Sequence, residues 1–96
     1  MMVLVTYDVS MQDAGGAKRL RKVAKVCTNY GQRVQNSVFE CNVDYSQSKL
    51  LKHELLGIID EAQDSIRFYY LGNKYHNKIE HFGTKSTFDM EGVLML

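Results

Sequence analysis

Asp8 is the one acid in Val3-Leu4-Val5-Thr6-Tyr7-Asp8-Val9, a run otherwise rich in β-branched and aromatic residues. Such a run predicts a strand covered on both faces. A carboxylate carried into it is costly unless it is paired, hydrogen-bonded or bound to a cation. Two readings stand. Asp8 could cap the following loop or pair with a nearby arginine. Alternatively it is a hard-cation ligand, because magnesium prefers oxygen and commonly takes only one or two protein carboxylates, keeping several waters. One carboxylate per chain is few for that role, but a twofold dimer packing its sheet faces together would present Asp8 twice across the axis. A metal held there could activate water and neutralise charge on a phosphodiester.

The second chemical feature is a segregation of charge. Between Ala14 and Phe39 the sequence has six basic residues and no acidic one, a net +6, whereas the remainder has six basic and eleven acidic residues, a net −5. The overall +1 conceals this. A locally cationic segment can bind a polyanion although the whole chain is near neutral. Arg19, Arg21, Lys22 and Arg33 are the candidate phosphate contacts, and a solvated helix face is the bland alternative.

Other chemistries are disfavoured. Cys27 and Cys41 lie 14 positions apart without a CxxC pattern, so they read as buried small hydrophobes rather than zinc ligands or a disulfide framework. His76 and His81 match no HExxH pattern and read as exposed loop residues, and His53 lies on a helix among charges. The sequence has neither a GxxxxGKS phosphate loop nor a GxSxG elbow.

The elements that must position these residues follow from periodicity. Ala17, Leu20, Val23, Ala24, Cys27 and Tyr30 have the spacing of an amphipathic helix over Ala17–Tyr30, with Gly31 as its C-cap and the basic residues on its solvent side. Arg33–Val43 alternates as an extended segment. A second helix is expected over Gln47–Ala62, capped by Ser46, with Leu50, Leu51, Leu55, Ile58, Ile59 and Ala62 as its core stripe. Asp64–Gly72 reads as an aromatic-rich strand, Lys78–Phe82 as a short one and Phe88–Leu96 as a terminal one. Tyr7 should point away from Asp8 and pack under the helices. Phe39 reads as core or dimer packing more than a base-stacking platform, and Ser37 as a strand position.

Two helices serving at least four strands disfavour a doubly wound sheet. If Arg33–Val43 bends near Asn36 into two strands, the pattern is a single ferredoxin-like α+β domain over residues 1–96, with both helices on one face of an antiparallel sheet. The opposite face then needs a cover, and so short a domain buries only about 60 to 65% of its unfolded surface, so a homodimer is expected. The apolar amino-terminal run is too short for a signal peptide or membrane helix, so a cytoplasmic protein without a membrane partner is expected.

The strand Val5-Thr6-Tyr7-Asp8-Val9, the basic helix Arg19–Lys25, Arg33-Val34-Gln35-Asn36-Ser37-Val38-Phe39-Glu40 and Asp64-Ser65-Ile66-Arg67-Phe68-Tyr69 together resemble the Cas-two (Cas2) family of small CRISPR-associated endonucleases. The likeness spans essentially the whole chain. It implies a ferredoxin-like homodimer with magnesium-dependent endonuclease activity on DNA or RNA in antiviral defence, working beside the CRISPR integrase subunit. It places the metal on Asp8 at the dimer interface and leaves Tyr7, Ser37 and Phe39 as possible support. It also implies that a carboxyl-terminal strand, Lys78–Phe82 or Phe88–Leu96, joins the partner's sheet. Family members also serve as a DNA-holding scaffold between integrase subunits, which is the alternative function. A small-ligand regulatory domain is a remote third option.

Overall fold

A computed structural model describes residues 1–12, 14–72 and 75–84, with the backbone alone for 75–77. The β-branched run near the amino terminus forms β1 (Met2–Asp8), the central strand. The basic amphipathic segment forms α1 (Gly15–Thr28). The alternating segment breaks at a turn over 36–37 into β2 (Gly31–Gln35) and β3 (Val38–Asn42), as the bend near Asn36 required. α2 (Tyr45–Leu56), β4 (Ser65–Gly72) and β5 (Tyr75–Gly83) follow.

Every neighbouring pair in the sheet is antiparallel, in the order β2-β3-β1-β4-β5. Strands β1 to β4 with the two helices make the ferredoxin-like α+β arrangement, and β5 extends the sheet beside β4. The expected strand over Lys78–Phe82 is therefore longer, and one of its edges pairs with β4 of its own chain. The expected strand over 88–96 lies outside the described residues.

Alternation decides which chemistry faces where. Val3, Val5 and Tyr7 point from β1 into the core with Phe39, Cys41, Ile66 and Phe68, against Val23, Cys27, Leu51 and Leu55 of the helices. Residues paired across antiparallel strands share a face. The face away from this core therefore carries Leu4, Thr6 and Asp8, with Glu40, Val38, Ser65, Arg67 and Tyr69 beside them. Among the described residues no helix covers it. Cys27 and Cys41 are free and buried, as expected.

Several boundaries differ from the sequence reading, among them the start of α1, at Gly15 rather than Ala17. α1 ends at an Asn29 cap, so Gly31 opens β2 instead of closing the helix. α2 starts earlier because Asp44, not Ser46, is its N-cap: Gln47 N–H donates to Asp44 Oδ1 at 2.8 Å and Asp44 N–H to Gln47 Oε1 at 2.9 Å, a reciprocal capping box. The helix stops at Gly57, well before Ala62, and Leu50 is 54% exposed rather than part of the core stripe. Asp64 precedes β4 rather than opening it.

Gly31 is needed for a close approach. A Cβ there would sit 2.7 Å from the Cys41 Cα and on top of the Glu40 carbonyl oxygen. Gly31→Ala is expected to cost about 2 kcal/mol or more by forcing β2 away from β3, read as a lower urea midpoint at unchanged m-value. An unchanged midpoint would show that β2 yields freely.

Candidate active site

Asp8 is the last residue of β1 and is exposed, so it does not carry the burial cost that its sequence context suggested. Its position on the strand explains this: at the carboxyl end, on the helix-free face, its carboxylate reaches water. The buried acid is its diagonal neighbour Asp64, 0% exposed and on the core side of the sheet.

Asp64 is held by five hydrogen bonds. The Tyr7 hydroxyl donates to Oδ2. Arg19 donates from Nε to Oδ2 at 2.8 Å and from Nη2 to Oδ1 at 3.2 Å. The backbone N–H groups of Ser10 and Asp60 donate at 2.9 and 3.1 Å. Burial pushes the Asp64 carboxyl up, but the hydrogen bonds from Arg19, Tyr7, Ser10 and Asp60 outweigh it and hold the group below its ordinary value. Burial first, and then the bond to Asp64, push the Tyr7 hydroxyl well above its ordinary value. One carboxylate thus ties the residue before Asp8, the loop after it, α1 and the α2–β4 connection to a single point.

This gives Arg19 a role other than the expected phosphate contact. Its side chain is 15% exposed and committed to an ion pair with Asp64. Tyr7 packs under the helices, 2% exposed, as alternation required. Phe39 is wholly core. Ser37 sits in the β2–β3 turn rather than in a strand, and its carbonyl oxygen accepts the Tyr7 N–H at 2.9 Å, pinning that turn beside the end of β1.

Arg21 and Lys22 are exposed on α1, with Lys18 and Lys25. Arg33 is exposed on β2, donates from Nε to the Asn36 carbonyl at 2.7 Å and lies 5.4 Å from the Phe39 ring centroid. The sheet separates Asp8 from the helix layer that carries Arg21 and Lys22, so one protomer does not bring these groups onto one surface. Asp8 instead borders a cleft of about 460 Å³ between the β1–α1 loop and the segment before β4, lined also by Ser10, Met11, Gln12, Gln63 and Thr84.

Among the described residues no group of three or more His, Cys, Asp or Glu could hold a metal. The exposed Asp8 carboxylate at the cleft is nevertheless a hard oxygen donor, which suits an ion that keeps most of its waters. His81 is the residue that sequence reasoning misplaced. It lies in β5, half-buried, with Nε2 3.1 Å from the Ser65 hydroxyl, rather than in an exposed loop. The side chain of His76 lies outside the described residues, and His53 is exposed on α2.

A family model described as CRISPR associated protein Cas2 matches residues 1–79. The chain belongs to the Cas2 family. It is 60% identical over 95 residues to the CRISPR-associated endonuclease Cas2 of Halalkalibacterium halodurans, covering 99% of each chain. It is 56% identical to the CRISPR-associated endoribonuclease Cas2 of Nitratidesulfovibrio vulgaris, over 100% of this chain and 94% of that one. The crystal structure of Streptococcus pyogenes Cas2 at pH 6.5 superposes with a TM-score of 0.71 at 64% identity, covering 75% of this chain and 87% of that one. In this Cas2 fold no helix among the described residues is long and apolar enough to cross a membrane.

Removing the Asp64 charge should expose how much of this arrangement depends on it. Asp64→Asn is expected to cost about 3 to 5 kcal/mol at neutral pH, because Arg19 is left as an uncompensated, largely buried cation. A depressed native carboxyl stabilises above its unfolded value of about 3.9 and loses that contribution as pH falls through its folded value, so the deficit should shrink in acid. Urea titrations at neutral and acidic pH read this directly. Tyr7→Phe, which deletes one bond to the charge and keeps the ring, should cost about 1.5 to 3 kcal/mol.

Proposed function

We propose that this chain is a magnesium-dependent endonuclease that hydrolyses phosphodiester bonds of DNA or RNA in CRISPR antiviral defence, acting as a homodimer with Asp8 of each copy at the metal. The observation that carries the reading is the position of Asp8: an exposed carboxylate at a strand end, on the face that no helix among the described residues covers, and beside an open cleft. Membership of the Cas2 family and the names of its relatives support the reaction class.

When bound, magnesium would lower the pKa of a coordinated water and offset charge on the phosphate. Asp8 contributes the anchoring oxygen. Ser10, fixed through its N–H to Asp64, and Tyr7, fixed through its hydroxyl, hold the backbone on both sides of Asp8, so the carboxylate is not free to wander. A second copy packed on the helix-free face would bury the apolar Leu4, Val38 and Leu71 and bring a second carboxylate. Arg21, Lys22 and Arg33 then bind the nucleic-acid backbone electrostatically. Phosphate contacts carry no base information, so they set affinity without choosing between DNA and RNA. The reading includes a cytoplasmic location and work beside the CRISPR integrase subunit.

One observation favours a second reading, a DNA-binding scaffold within the integration complex. Arg21 and Lys22 lie across the sheet from Asp8, which suits a backbone-holding surface that does not depend on the carboxylate.

Cleavage of duplex DNA and single-stranded RNA with magnesium separates the two. Under the proposed reading, EDTA abolishes cleavage and Asp8→Asn lowers it about 100-fold or more, with binding measured on the same samples unchanged. Cleavage that survives Asp8→Asn rejects the metal site. Replacing Arg21, Lys22 and Lys25 by alanine should weaken binding and reduce the slope of log K against log salt by up to roughly 0.9 per lost phosphate contact.

A further inference from the structure

The Asp8 site as described lacks a group to accept the proton of the attacking water. Ser65 is the cross-strand partner of Asp8 on β4, so the two side chains share the helix-free face. Ser65 is only 3% exposed, and its hydroxyl lies 3.1 Å from His81 Nε2 on the next strand. His81 is in turn opposite Arg67, which is opposite Thr6. Asp8, Ser65 and His81 therefore form a diagonal row across β1, β4 and β5.

We propose that His81, acting through the Ser65 hydroxyl, takes the proton released when water attacks the phosphodiester at Asp8. This rests on the hydrolytic reading and adds to it the missing base. The step balances without any further reagent. One O–H bond of the water breaks and its proton passes to Ser65 Oγ, while the Ser65 proton passes to His81 Nε2, giving an imidazolium. The water oxygen bonds to phosphorus, the bond from phosphorus to the leaving oxygen breaks, and the leaving oxygen takes up a proton from the imidazolium or from solvent.

The charge environment suits the role. Burial lowers the affinity of His81 for a proton, and the Arg67 guanidinium lowers it further, so the ring is neutral and able to accept at neutral pH. Among the described residues the charged group facing His81 on this side is Arg67 of β4, opposite it in register, with Asp8 one strand further on. Its own-strand neighbours Lys78 and Glu80 pair in register with Tyr70 and Phe68 and so lie on the helix side. Among the described residues His81 contacts Ser65 and not Asp8, so its place is beside the metal site rather than in it.

The test uses the full chain with magnesium and duplex DNA or RNA, whichever it cleaves, comparing His81→Gln, His81→Ala, Ser65→Ala and Asp8→Asn. His81→Gln should lower kcat about 100-fold with KM and the half-saturating magnesium concentration unchanged, and should flatten the acidic limb of the pH–rate profile. Added imidazole should restore part of the activity of His81→Ala. Ser65→Ala should lower kcat with the same unchanged KM. A cross-strand hydrogen bond that only steadied the sheet would lower the melting temperature and leave the pH profile alone. Full cleavage by His81→Gln while Asp8→Asn is inactive overturns the proton-acceptor role and leaves the metal site standing. Failure of imidazole to rescue a folded His81→Ala, or a raised magnesium requirement in His81→Gln, overturns it also. Cleavage retained by Asp8→Asn instead rejects the hydrolytic reading beneath it.

Discussion

The fully buried carboxylate of Asp64 is the constraint on which the rest of this structure turns. A lone buried charge would be expelled or neutralised, so its presence dictates where five donors must be. Meeting that demand fixes the start of α1 through Arg19, the loop after β1 through Ser10, the bend before β4 through Asp60 and the ring of Tyr7. Asp8 sits between two of these anchor points and inherits their rigidity without sharing their burial. Of the two acids, Asp8 is exposed, and Asp64, which fixes the backbone on either side of it, is dry.

Much of this was legible in the sequence, and the failures have identifiable causes. Period-two and helical spacing identified β1, α1, β4 and the bend near Asn36, because these elements bury one regular stripe each. The end of α2 was misread because Ile58 and Ile59 continue the apolar pattern past Gly57, where the backbone has already turned: Ile59 still packs into the core from outside the helix. Asp64 was passed over although it shares the parity of Ile66 and Phe68, which alone says that it points inward. The costly carboxylate was sought in β1, whereas the strand's end gives Asp8 access to water. Arg19 could not be told from its basic neighbours, because only the fold reveals which turn of α1 faces Asp64. His81 was read as a loop residue although it falls within the strand expected over Lys78–Phe82, because the mixed composition there gives no clear inward and outward alternation.

The two faces of the sheet divide the molecule's work. The helix side holds the core, the Asp64 network and, outward beyond the helices, the exposed basic residues of α1. The other side, over which no described helix lies, holds the exposed Asp8, the buried Ser65 and the half-buried His81 among apolar residues such as Leu4 and Val38. A sheet face that carries apolar side chains and has no helix over it among the described residues suits packing against a second surface, which under the proposed function would link assembly to chemistry.

The pairing of β1 also bears on how the protein comes to exist. Met2 lies opposite Asn42 on one side and Leu71 on the other, so the central strand acquires both partners from distant parts of the chain. Contacts of such long sequence separation must close large loops before any burial rewards them, which slows folding relative to helical domains of the same size. Until β4 arrives, Tyr7 and Asp64 are apart and the end of β1 has no anchor. Completion of the Asp8 environment thus waits on the docking of β4, and a population in which β4 had not docked would have secondary structure without that environment.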